Sequence, residues 1–153
     1  MLFRSVGNTG SQRRLKYGPH GNTVNLASRI QDVTKKLGLP MLIAGSTRER
    51  LPPEFATRRL CTARVRGIAG TVVLFELHDS ATSPEWLRRR DEYEAALAEY
   101  ESGDWCKACQ HLVGLIELDR SQEGADLATV KLVRKAWECL ERREDMDPVI
   151  DLT

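Results

Sequence analysis

The hydrophobic period of the chain changes once, across Asp79-Ser80-Ala81-Thr82-Ser83-Pro84, and that change limits the fold more than any other feature. Before it, "ATRRLCTARVRG" and "TVVLFELH" are rich in β-branched or aromatic residues and meet at "GIAG", whose two glycines predict a β-hairpin. After it only helical spacing remains. Trp86, Tyr93, Leu97 and Tyr100 form one stripe; Trp105, Ala108, Leu112 and Ile116 form a second; Leu127, Val130, Val133, Trp137 and Leu140 form a third. A sheet-bearing half followed by an all-helical half predicts an α+β chain.

Punctuation residues place the elements. Val24, Ala27, Ile30, Val33 and Leu37 recur at helical steps, with Asn22 or Thr23 as cap and Gly38 and Pro40 as the stop. "MLIAG" reads as a short buried strand. In "STRERL", Ser46 and Glu49 have the spacing of a capping box for a brief helix that Pro52-Pro53 ends. Ser83 caps the next helix with Pro84 in its first turn, Gly103 ends it, and Asp104 caps the one after. A third helix is expected from about Asp126 to Arg142, and the tail "DMDPVIDLT" is expected to be irregular.

Length and charge narrow the function classes. The 153 residues suit one domain with an appendage, and a net charge of +1 gives no reason to expect nucleic acid. Arg13-Arg14, Arg58-Arg59 and Arg88-Arg89-Arg90 are short clusters that read as solvated faces. No apolar run approaches the roughly 20 residues of a membrane span, and no signal peptide is visible. Four cysteines, Cys61, Cys106, Cys109 and Cys139, are too sparse for a disulfide framework, so the expectation is a reducing, cytoplasmic setting, with any membrane anchor in an upstream segment. Residues 1–5, "MLFRS", look non-native: Leu-Phe-Arg-Ser is what CTC-TTC-CGA-TCT encodes, a string resembling the end of a sequencing adapter. The expectation is a reading frame that starts at a broken edge, with more of the protein upstream.

"YGPHGNTVNLASRIQ" carries the chemistry. A turn of glycine, proline and asparagine leads into a helix bearing Asn25 and Arg29, which four-residue spacing puts on one face. Taken without its surroundings, Asn25 is a helix-start amide and Arg29 a solvated residue on a polar face. With them, "GNTGSQRRLKYGPHGNTVNLASRI" and the later "RVRGIAGTVVLFEL" resemble the C-terminal half of the class III nucleotide cyclase catalytic domain. The resemblance covers residues 6–78. It implies the C-terminal half of a ferredoxin-like cyclase domain, while the change of pattern beyond it gives a linker over 79–84 and a helical tail over 85–153.

The family converts a nucleoside triphosphate to a cyclic 3′,5′-nucleotide and pyrophosphate in sites shared between two catalytic domains. The resemblance therefore implies ATP as substrate, cyclic AMP as product, a homodimer in the intact protein, and magnesium held by two aspartates upstream of Met1. By resemblance, Asn25 orients the ribose, Arg29 stabilises charge developing on phosphate, and Arg66 contacts the triphosphate, where relatives often have lysine. An exposed strand arginine is an equal reading of Arg66. Many relatives have a purine-reading aspartate where Gly18 stands, so ATP against GTP is left open. No activity is expected of these 153 residues alone.

"YEAALAEYESGDWCKACQHLVGLIELD" resembles a tetratricopeptide-like helical hairpin, expected to pack on the cyclase half or to support a dimer. Two rival readings stand beside the enzyme. One is a non-catalytic helical interaction module on a degenerate cyclase scaffold. The other is thiol redox chemistry at Cys106 and Cys109 in "WCKAC", which lacks the preceding strand such a centre needs.

Overall fold

The computed structural model describes residues 5–11, 14–78, 82–119, 126–142 and 147–152, with the backbone alone for 5–20, 22 and 119. Residues 1–4 of the expected leader and 79–81 of the expected linker lie outside the described residues. The fold is α+β. A hairpin of β1 (Ser5–Ser11) and β2 (Arg14–His20) forms a two-stranded antiparallel sheet and leads into α1 (Asn22–Leu37). Then follow β3 (Leu42–Ala44), the single-turn α2 (Gly45–Arg48), β4 (Thr57–Arg64) and β5 (Val72–Leu77). Three helices, α3 (Pro84–Glu101), α4 (Trp105–Asp119) and α5 (Leu127–Arg142), precede a last short strand, β6 (Ile150–Asp151).

The main sheet has the order β3-β5-β4-β6, antiparallel except where β6 lies parallel to β4. The expected hairpin is β4–β5, and Gly67 and Gly70 in its connection both have positive φ, at 73° and 78°. A register shift between Arg59 and Cys61 bulges β4, so Leu60, Cys61 and Ala63 are all buried. Burial at successive positions means that β4 is covered on both faces.

One apolar cluster joins the halves: Ile30, Val33 and Leu37 of α1, Leu60 and Leu74 of the sheet, and Tyr93, Leu97, Leu112 and Leu132 of the helices. Polar clamps reinforce it. The Tyr93 hydroxyl donates to the Leu60 carbonyl at 3.0 Å. Arg59 grips both carboxylate oxygens of Glu101 at 2.7 and 2.8 Å, and its N–H donates to Glu94. Arg58, expected on a solvated face, is instead buried at 7% exposure. It sits directly across from Glu76 in the β4–β5 register, bonds that carboxylate at 2.8 Å and Asp126 at 2.6 Å, and lies over the Tyr93 ring. Pairing on both sides is what lets the guanidinium stay charged inside.

The caps are mixed. Ser83 accepts from the Trp86 N–H with Pro84 in the first turn, and Asp104 accepts from the Lys107 N–H, as expected. At α1 the N-cap position is Gly21, so Asn22 and Thr23 lie within the first turn rather than at the cap. At α2 the N-cap is Ala44, which puts Ser46 inside the turn rather than before it, and no capping box forms.

Two further expectations are overturned. Residues 150–151 are not irregular: β-branched Ile150 lies beside Ala63 of β4, and the Leu152 N–H donates to the Arg64 carbonyl. On α5 the inward stripe is Ala128, Thr129, Leu132, Ala136 and Cys139, which leaves Leu127 and Trp137 exposed, the latter at 59%. Small residues face α4 and α3 because they let the helix axes approach, whereas the indole stays outside with its N–H on Glu141. Among the described residues no helix is long and apolar enough to cross a membrane.

Candidate functional site

Tyr17–His20, expected as a turn, is instead the end of strand β2, which passes into α1 through the single residue Gly21, at φ 133°, whose carbonyl accepts from the N–H groups of both Val24 and Asn25 at 3.1 Å. Asn25 is thereby in the first turn, with its side chain exposed. Arg29 follows one turn later. Its guanidinium reaches Asp32 only at 3.9 Å, and the two side chains are 46% and 61% exposed, so this is a loose surface pair that an anionic ligand can displace.

Across the sheet edge, Arg64 ends β4, Val65 turns inward, and Arg66 stands exposed in the turn that Gly67 permits. Arg29 and Arg66 line one cleft of about 270 Å³, together with Lys36, Asp32, Val33, Val65 and Leu152. Among the described residues, three cations against one carboxylate give the cleft a positive field suited to phosphate oxygens. Lys36, which the sequence did not single out, donates to the Leu152 carbonyl at 3.1 Å and so ties the chain's end to the cleft wall. Its signal in the sequence was faint: it is seven residues beyond Arg29, two helical turns along the same face.

Asn25 is not among the residues lining that cleft. Gly18 pairs with Gly7 in the separate two-stranded sheet. The structure therefore places Arg29 and Arg66 on one cleft and leaves Asn25 outside it.

Among the described residues Asp32 is the one carboxylate lining the cleft and faces Arg29, and no group of three or more His, Cys, Asp or Glu side chains could hold an ion.

The "WCKAC" pair divides. Cys106 is exposed, whereas Cys109 is buried on the side facing α5, where burial pushes its thiol up, as it does for Cys139. α4 follows a helix, α3, rather than a strand. The pair therefore lacks the strand that leads into a dithiol redox centre.

Comparison with known proteins adds a partial likeness. The chain is 32% identical over 72 residues to "Adenylate cyclase 1" of Rhizobium meliloti (strain 1021). The match takes in 47% of this chain and 11% of that protein, so the chain spans about a ninth of its relative's length. No protein-family model matches, and no solved structure matches. Part of this chain is similar to part of an adenylate cyclase.

Proposed function

We propose that this chain supplies the phosphate-contacting portion of a class III adenylate cyclase, acting in an assembly whose other segments bring the metal ligands. The observation that supports this reading best is the cationic cleft that Arg29 and Arg66 share from different elements. In the proposed reaction the ribose 3′-hydroxyl of ATP attacks the α-phosphorus, loses its proton, and expels pyrophosphate, leaving cyclic AMP. Negative charge grows on the α-phosphate and on the bridging oxygen of the leaving group. Arg29 would meet that charge, Arg66 would hold the departing pyrophosphate, and Asn25 would orient the ribose from the neighbouring turn. Guanidinium groups in place before charge develops lower the barrier without reorganising. The magnesium implied by this chemistry would come with aspartates outside these residues, and the homodimer is proposed on the same ground.

The test is turnover in a longer protein that contains this segment and makes cyclic AMP. Arg29→Ala should lower kcat about 100- to 1000-fold with the fold intact by circular dichroism. Turnover within a few-fold of the parent would sink the assignment. Substantial cyclic AMP formation by the 153 residues alone would overturn the composite site.

A second reading, a helical interaction module, draws on the exposed Trp137, Leu118 and Val113 of α4 and α5. It predicts that Arg29→Ala and Arg66→Ala leave function untouched, whereas Trp137→Ala abolishes it.

A further inference from the structure

A second cavity, of about 310 Å³, opens where α1, β4, α3, α5 and β6 meet, and its construction is unlike that of the arginine cleft. Its floor is made of Leu37, Leu60, Tyr93, Ala128 and Leu132, none more than 6% exposed. The polar atoms in that floor are already committed. The Tyr93 hydroxyl is spent on the Leu60 carbonyl, and the Cys61 thiol, which burial pushes up to about 12, stays neutral. A nucleotide base or sugar would lose its water there and gain no hydrogen bond in return, so the floor selects against both.

The mouth is the reverse. Lys36, Lys131, Arg134 and Lys135 stand around it, against the carboxylates of Glu138 and Asp151. Glu138 is shared by Arg134 at 3.1 Å and Lys135 at 2.9 Å, so one carboxylate meets two cations. The Lys131 ammonium bonds the Lys36 carbonyl, which fixes it beside the opening. A dry floor below a positively charged rim asks for a ligand with a saturated tail and a single anionic head.

We propose that this junction cavity binds a medium-chain alkyl carboxylate, with the chain on the Leu60–Leu132 floor and the carboxylate among Lys131, Lys135 and Arg134.

Calorimetric titration of the 153-residue chain with hexanoate, octanoate and decanoate, each below its micellar concentration, tests this. Affinity should rise about fourfold for each added methylene until the cavity is full, and then level off. Decanol, which has the tail and no charge, should bind at least about tenfold more weakly than decanoate. The double variant Lys131→Glu/Lys135→Glu changes only half-exposed rim positions; it should weaken decanoate about tenfold and leave decanol unchanged. Ile150→Trp, which pushes an indole into the cavity from the terminal strand, should abolish both. Failure of decanoate to bind, equal affinity for decanol and decanoate, or indifference to the rim variant would each overturn the proposal. Because the rim variant lies outside the core, its result stands even if the indole loosens β6.

Discussion

Arg58 shows how much one residue's surroundings decide. It reads as half of a basic doublet, yet Glu76 lies across from it on β5 and Asp126 reaches it from the start of α5. The two carboxylates are driven apart by those surroundings. Burial raises Glu76 by more than Arg58 lowers it. For Asp126 burial also pushes upward, but the Arg58 charge and hydrogen bonds from Arg58, Thr129 and the Ala128 N–H outweigh it and hold the carboxyl below its usual range. A depressed folded-state pKa gives stability that is present above the unfolded value, about 3.9 for aspartate, and is lost as pH falls through the folded one. Glu76, being raised, acts in the opposite sense and loses stability as pH rises through its folded value. Asp126→Asn should therefore flatten the acid limb of a stability–pH profile and cost about 2 kcal/mol at neutral pH. Arg58→Met leaves two carboxylates facing each other without a cation and should cost more, about 3–5 kcal/mol by urea melts. An acid limb unchanged in Asp126→Asn would remove Asp126 from the account.

Elements are punctuated where single residues have no substitute. Gly38 ends α1 at φ 65°, with its N–H on the Lys35 carbonyl and the Leu39 N–H on that of Thr34. A Cβ there would lie 3.5 Å from Leu127, an ordinary contact, so Gly38→Ala is penalised by backbone strain alone. Chemical denaturation should show a loss of about 1 kcal/mol, and an unchanged midpoint would contradict the left-handed cap. Glycine and serine signals of this sort made the helices and the β4–β5 hairpin legible in the sequence, since each reports a local backbone requirement. What depends on partners distant in the chain was not legible. Helical spacing offers α5 two adjacent stripes, and only packing on the neighbouring elements selects Ala128, Leu132 and Ala136 over Leu127 and Trp137. Likewise, β6 exists because β4 has an edge for it to join, which no pattern within residues 147–152 announces. The candidate site followed the same division. Arg29 was visible in its motif, whereas the part Lys36 and Leu152 play beside it arises from the tail's return to the sheet.

At the scale of the whole molecule, the sheet half and the helical half are not independent. Tyr93 and Leu97 of α3 belong to the same cluster as Leu60 and Leu74, and Arg58 and Arg59 bind carboxylates carried by the helices. A chain ending at residue 78 should therefore lack a cooperative thermal transition, because β4 would lose the cover on one face. A sharp transition near that of the full chain would contradict this. The same joining places two cavities side by side with Lys36 and Leu152 in the walls of both, one carrying Arg29 and Arg66 and the other apolar with a positive rim.

The claim at the centre is that Arg29 and Arg66 act together on a polyphosphate. Titrating the ¹⁵N-labelled 153-residue chain with inorganic triphosphate tests it most directly. The account predicts that the backbone and Nε signals of Arg29 and Arg66 shift along one binding curve, and that Arg29→Ala and Arg66→Ala each weaken it about 10- to 100-fold, the loss expected from one charge-assisted contact. Shifts confined to Lys131, Arg134 and Lys135, or an affinity that neither substitution changes, would contradict it.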